Sequence, residues 1–307
     1  MKRRPIATAL LLWFEHNNRA SLPWRRDRDP YRIVVSEFML QQTQVDRVVP
    51  IFDRFTRAWP SFAALAAASQ ADVIRAWQGL GYNSRAMRLH ALARIVCAQY
   101  AGALPRDEAA LRALPGVGTY TARAIAAFAF DADVVAIDTN VRRIVHRTQL
   151  GIEWPPLAAT TELDSVATAL VPPGRGFHFN SALMDLGSTL CTARAPKCLL
   201  CPLRLACAAA PVDAASLAAR AARYAPARSP QERLRFEETD RFVRGRVIDR
   251  LRALPATGAI SLLDLHEELG PSLSESHRTP QRFEAIVTRL IDDGIVERSS
   301  ARLRLRD

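Results

Sequence analysis

The chain has 307 residues, 49% of them hydrophobic and 24% charged, so it can bury a full core and is long enough for two or three domains. Its formal charge of +11 and isoelectric point near 10.3 favour a polyanionic partner, with nucleic acid the leading class. No run of eighteen apolar residues is present that would span a membrane, which excludes that partner. Lys2 and Lys197 are the only lysines, leaving 40 arginines among the 42 basic residues. Chemistry that requires a lysine amine is therefore nearly unavailable.

The N-terminal stretch MKRRPIATALLLWFEHN has a short apolar run that meets Glu15 without a small-residue cleavage site. It predicts an amphipathic helix rather than a signal peptide, with Ile6, Leu10, Trp13 and Phe14 at helical spacing, and fits a cytoplasmic, nucleoid-associated protein. Next comes the Pro-punctuated loop LPWRRDRDPY, which sets Trp24 beside Arg25. From Tyr31 to Phe55 the positions Ile33, Val34, Phe38, Leu40, Val45, Val48 and Phe52 give a helical apolar pattern. Glu37 sits inside it, among Val34, Val35, Phe38, Met39 and Leu40. Burial there would raise its pKa and make it a candidate general acid; a surface Glu at a helix start capped by Ser36 is the plainer alternative. The polar insert Gln41, Gln42, Thr43 and Gln44 falls on a helix–loop edge, where short polar side chains can read base edges or enter a base stack. Helices follow over Ser61 to Gln78 and, after the GLGY turn Gly79 to Tyr82, over Ser84 to Tyr100. Tyr82 and Asn83, beside Arg85, are available for stacking or phosphate contact. A further helix over Asp107 to Leu114 leads on.

The stretch Leu114 to Asn140, LPGVGTYTARAIAAFAFDADVVAIDTN, joins a Gly-rich turn to a carboxylate. Pro115, Gly116 and Gly118 interrupt the pattern, Thr119 to Phe130 forms a helix, Asp131 to Asp133 end it, and the apolar run Val134 to Ile137 delivers Asp138. Backbone amides at such a helix start suit a phosphate oxygen. The segment VRRIVHRTQLG predicts a helix with Arg142, Arg143 and Arg147 on its surface as a backbone clamp. Helices over Pro155 to Val171 and Phe179 to Leu190 complete a region with almost no alternating strand pattern, which makes it all-α. Cys191, Cys198, Cys201 and Cys207 are then spaced C-x6-C-x2-C-x5-C, while Cys97 stands alone in a helix as a core residue. Such spacing in a non-secreted chain points to a metal, and both structural zinc and a four-cysteine iron–sulfur cluster fit it.

The turn LPGVG, the Asp of IDTNVRR and the four-cysteine loop together resemble the helix-hairpin-helix superfamily of base-excision DNA glycosylases, over roughly Pro5 to Ala210. Within it, SEFMLQQTQV, GLGYNSRA and MDLGSTLC resemble the adenine DNA glycosylases, which remove adenine mispaired with 8-oxoguanine. The resemblance implies a [4Fe-4S] cluster on the four cysteines, with zinc as the alternative, and two helical lobes with a cleft for double-stranded DNA carrying a mispaired base. It implies that Glu37 protonates the adenine ring and that Asp138 stabilises the oxocarbenium-like sugar once the base is flipped out. It also implies that Trp24 and Arg25 line the base pocket, that Gln41 and Tyr82 intrude into the stack, with Gln42 and Thr43 beside them, that Gly116, Val117 and Gly118 grip a phosphate, and that Asn140 supports the sugar site.

Relatives that resemble endonuclease III carry a lysine two residues after the last Gly of the turn, where its amine forms a Schiff base. Here that residue is Tyr120, so the resemblance implies a monofunctional enzyme with little strand cleavage. Tyr120 and LGYN also resemble the mismatch thymine glycosylases, and a non-catalytic damage-binding protein is a further alternative. No Nudix-like domain is recognisable. Instead, Tyr224 to Arg241 reads as a linker, and residues 242–307 give three helices and a short alternating segment resembling a winged-helix module; its SESH loop (Ser274 to His277) resembles a serine–histidine loop used for lesion reading. The expected architecture is thus an all-α, two-lobed core plus a small α+β module, acting as a monomer. Residues 1–21 with 135–223 form the cluster lobe and 22–134 the lobe with the hairpin.

Overall fold

The computed structural model describes residues 3–151, 160–223 and 234–307. In chain order the helices are α1 (Arg3–Asn17), α2 (Pro30–Leu40), α3 (Val45–Ala58), α4 (Phe62–Ala66), α5 (Gln70–Ala76), α6 (Ser84–Tyr100), α7 (Glu108–Arg112), α8 (Thr119–Phe130), α9 (Thr139–Val145), α10 (Thr160–Thr168), α11 (Gly176–Thr189), α12 (Ala214–Arg223), α13 (Asp240–Arg252), α14 (Leu262–Leu269) and α15 (Pro280–Asp292). Three short strands, β1 (Ile260–Ser261), β2 (Val296–Ser299) and β3 (Arg302–Leu305), all lie near the C-terminus. The fold is therefore mostly helical with one small sheet. The start of the helix predicted over Pro155 to Val171 and most of the predicted linker lie outside the described residues; within the latter, Phe236–Glu238 forms a 3-10 turn and α13 already begins at Asp240.

Contacts divide the chain into two units, Met1–Glu37 with Leu104–Pro226, and Phe38–Ala103 with Ala227–Asp307. In the first, one face of α1 (Ile6, Leu10 and Phe14) packs with Val141, Ile144 and Val145 of α9 and with Phe179, Leu183 and Leu186 of α11. Burial of these aliphatic and aromatic groups is the main favourable term. Polar staples then fix the backbone. Asn180, fully buried in α11, accepts from the Ala136 amide at 2.9 Å and donates to the Val134 carbonyl at 2.8 Å. It thus satisfies the extended segment that delivers Asp138, as a neighbouring strand would. Gly176 permits this approach, since a Cβ there would stand 2.0 Å from the Ala132 carbonyl oxygen.

In the second unit, α13, α14, α15 and an antiparallel sheet of order β1-β3-β2 form the C-terminal module. Ser300 and Ala301, both left-handed (φ 47° and 65°), turn the β2–β3 hairpin in the sense that matches strand twist. The module does not stand apart: Ala71 and Ile74 of α5 share its core with Val247, Leu251 and Phe283. Gln70 Nε2 donates to the Gly294 carbonyl at 2.7 Å, and Arg252 donates to the Ile74 carbonyl at 3.1 Å and to Asn83 Oδ1 at 2.6 Å.

Candidate active site

Glu37 lies in the C-terminal half of α2 and is 7% exposed, so the alternative of a capped surface residue at a helix start does not hold; Ser36 donates back to the Ile33 carbonyl instead. Burial raises the Glu37 pKa to about 7; a hydrogen bond from the Tyr120 hydroxyl opposes that rise and the nearby charge of Asp138 adds to it. The Tyr120 phenol is itself pushed well above its ordinary value, first by burial and then by the two carboxylates. A carboxyl protonated near neutrality, a phenol and a second carboxylate are thus brought together from α2, α8 and the start of α9.

Asp138 caps α9. Its Oδ1 accepts from the Val141 amide at 2.7 Å and its Oδ2 from Asn140 Nδ2 at 2.9 Å. Both bonds aim the carboxylate. Asn140 Oδ1 in turn accepts from Arg143 Nη2 at 2.9 Å, and Arg143 also donates to the carbonyls of Gly187 at 2.8 Å and Cys191 at 2.7 Å. Gly187 is required by proximity, because a Cβ on it would meet the Asn140 Cβ at 2.8 Å. Arg143 and Arg147 are not the surface clamp predicted from sequence. Arg147 is 1% exposed and donates to the carbonyls of Thr192 at 2.8 Å and Ala193 at 3.0 Å, with Cys191 Sγ at 3.5 Å.

The hairpin turn forms as expected. Gly116 is left-handed (φ 79°), Val117 is buried and bonded to the Leu114 carbonyl at 3.2 Å, and Gly118 starts α8 with no side chain capping its first turn. Trp24 is buried in the short turn Pro23–Arg25, and the Arg25 guanidinium is bound at both ends by Asp185, at 2.7 and 3.1 Å. Arg19 joins the same carboxylate. Asp185, Asn180 and Gly187 are residues that sequence reasoning missed; three non-apolar positions on the inner side of one helix, α11, were the available signal. Arg142 stands on α9, its charge close to the buried His146.

Other predicted contacts belong to the second unit. Gln42 and Tyr82 have left-handed backbones (φ 53° and 45°), a conformation that costs a non-glycine residue about 1–2 kcal/mol and that concentrates at functional sites. Both turns are held by Arg85, 5% exposed, which donates to the carbonyls of Met39 (3.0 Å), Gln41 and Leu80 (2.8 Å) and to Thr43 Oγ1 (3.1 Å). His277 of the SESH loop is not presented outward as a reading loop requires. It is 3% exposed, bonded to Ser274 at 2.7 Å and to Asp240 at 2.9 Å.

Cys191, Cys198, Cys201 and Cys207 are half-buried and line one small cavity with Ile144, Leu186 and Leu203. Burial pushes the Cys201 thiol up to about 11 and raises Cys207 as well. No three His, Cys, Asp or Glu side chains among the described residues are arranged as a single-ion site. Four sulfur donors lining one cavity, with Arg147 beside Cys191, are the soft donor set that either a thiolate-bound zinc or an iron–sulfur group takes.

The geometry defines a helix-hairpin-helix glycosylase: residues 35–167 match the family described as HhH-GPD superfamily base excision DNA repair protein. The chain is 43% identical to the adenine DNA glycosylase of Mycolicibacterium smegmatis, over 95% of this chain and 92% of that one, and 40% identical to that of Mycobacterium tuberculosis H37Rv, over 93% and 91%. It belongs to the adenine DNA glycosylase family and is a DNA glycosylase of base excision repair. Among solved structures, a thermostable thymine-DNA glycosylase superposes with a TM-score of 0.63 at 32% identity, over 68% of this chain and 96% of that one.

Proposed function

We propose that this chain hydrolyses the N-glycosidic bond of adenine mispaired with 8-oxoguanine or guanine and leaves the strand uncut. The observation that carries the reading is a buried Glu37 with a pKa near 7, bonded to Tyr120 where lyase relatives have a lysine. Adenine leaves poorly as an anion, so a proton from Glu37 to a ring nitrogen lets it depart neutral. The cationic charge that develops on the sugar is met by the Asp138 carboxylate, aimed by Val141 and Asn140. Water adds at the anomeric carbon and its released proton restores the Glu37 carboxyl, giving free adenine and an abasic site. Tyr120 has no amine, so no Schiff base forms.

Gly116 to Gly118 hold a phosphate at the start of α8, Trp24 lines the base pocket, with Arg25 supporting it through Asp185, and Gln41 and Tyr82 enter the stack, with Gln42 and Thr43 beside them. Arg142 serves the backbone, whereas Arg143 serves Asn140. The four cysteines would hold a [4Fe-4S] cluster, which when bound supplies a rigid staple for the loop that Arg143 and Arg147 grip. The expected partition into a cluster lobe (1–21 with 135–223), a hairpin lobe (22–134) and a C-terminal module is part of this reading, as is an enzyme that works as a monomer on nucleoid DNA in the cytoplasm. A panel of duplexes with A, T or U opposite G or 8-oxoguanine tests it. Adenine release without strand cleavage supports the reading, and preferential T or U release would replace it with the mismatch thymine reading.

A further inference from the structure

The interior of α13 contains a glycine, Gly245, which costs a helix about 1 kcal/mol relative to alanine. Packing does not require it: no atom lies within 4 Å of where its Cβ would be. It opens onto a cavity of about 230 Å³ whose other walls are Tyr82, Phe236 and Arg241, and Gly81, with equally open space at its Cβ position, completes the rim. Tyr82 and Phe236 are 40% and 53% exposed and share this one rim, so the uncovered aromatic surface is contiguous rather than scattered. The guanidinium of Arg241 lies 4.0 Å from the Tyr82 ring centroid and 5.7 Å from that of Phe236.

We propose that this cavity is a subsite for one unstacked nucleobase of the bound DNA, supplied jointly by the GLGY turn and the C-terminal module. Two exposed rings and a stacked guanidinium offer π-faces and donors for a flat group with acceptors on its edge, which is how single bases are held without sequence readout. The space is below the roughly 300–1,000 Å³ of drug-sized pockets and suits one base without its sugar and phosphate. The subsite accounts for three features at once: the open glycine in α13, the uncovered rings, and the left-handed Tyr82 displayed beneath Arg241.

The inference rests on the base-flipping reading, and the base has two possible sources: the one left unpaired opposite the flipped nucleotide, or its neighbour in the stack. The test uses the full chain and duplexes in which the target adenosine carries a non-hydrolysable 2′-fluoro sugar. One duplex has 8-oxoguanine opposite, one an abasic analogue opposite, and one an abasic analogue at the neighbouring step. Phe236→Ala and Gly245→Leu should each weaken binding to the first duplex by roughly tenfold, the scale of one lost base stack, while binding to a fully paired duplex changes little. On the duplex that lacks the captured base, wild type and variants should bind alike, which identifies the source. Gly245→Ala is the fold control and should keep or raise the melting temperature. Equal affinities of wild type and variants on all duplexes, or a loss that persists whichever base is removed, overturns the subsite. The readout needs no catalysis, so failure to release adenine would sink the functional reading and leave this one standing.

Discussion

Nη2 of Arg143 lies 2.9 Å from Oδ1 of Asn140, and through that amide the backbone of the cysteine loop reaches the carboxylate of Asp138. The loop therefore sets the aim of a reacting group. Hydrogen bonds to charged groups contribute about 1.5–3 kcal/mol, so Asn140→Ala should slow single-turnover base release by roughly ten- to a hundredfold. Duplex affinity should stay within about threefold, since Asn140 acts on the transition-state charge rather than on binding. Equal losses in rate and affinity would contradict the assigned role.

Gly187→Ala probes the same link without touching a polar group. The added methyl would lie 2.8 Å from the Asn140 Cβ, closer than such atoms pack, so α9 or α11 must shift. The expected outcome is a rate loss comparable to that of Asn140→Ala in a protein that retains its helical signal by circular dichroism. An unchanged rate would show that the helices part without disturbing Asp138.

The Glu37 pKa makes activity depend on pH with a definite sign. With a value near 7, the acid is protonated below neutrality and the release rate falls as pH rises through about 7. The Tyr120 hydrogen bond lowers that pKa, so Tyr120→Phe should move the alkaline limb to higher pH; a limb that stays or moves down would refute the contact. Stability follows the same linkage. A carboxyl whose pKa is raised by folding contributes most below its ordinary range, and the contribution is lost as pH climbs to about 7. Wild type should therefore lose melting temperature relative to Glu37→Gln between pH 5 and 8, as followed by thermal denaturation.

Arg147→Leu leaves the carbonyls of Thr192 and Ala193 without their donor inside the protein. A fully buried unsatisfied group costs about 1–3 kcal/mol and these half-buried carbonyls less, so the melting temperature should drop and the cysteine loop should loosen. If the loop carries an iron–sulfur cluster, its visible charge-transfer absorbance should bleach faster under oxygen than in wild type. Unchanged melting and bleaching would mean that Arg147 is not a brace.

Much of this was legible in the sequence because local signals agree with the fold. Pro115, Gly116 and Gly118 punctuate the start of α8, and α6 and α8 begin and end where small and apolar residues predict. Glu37 stood out as a charge inside an apolar period. Arginine reads as surface by composition, whereas the carbonyls of Gly187, Cys191, Thr192 and Ala193, more than forty residues away, draw Arg143 and Arg147 inward. His277 failed for the same reason, since its partner Asp240 lies 37 residues upstream. The core that the C-terminal module shares with Ala71 and Ile74 is a contact between distant segments, and no periodicity within either one reports it.

The most direct measurement is adenine release from an A:8-oxoguanine duplex in single turnover by the wild-type chain, Glu37→Gln and Asp138→Asn. Wild type should give free adenine and an uncut strand, and both variants should lose at least roughly a hundredfold in rate with the duplex still bound. Release at wild-type rate by either variant, or no adenine from the wild-type chain, would contradict this mechanism.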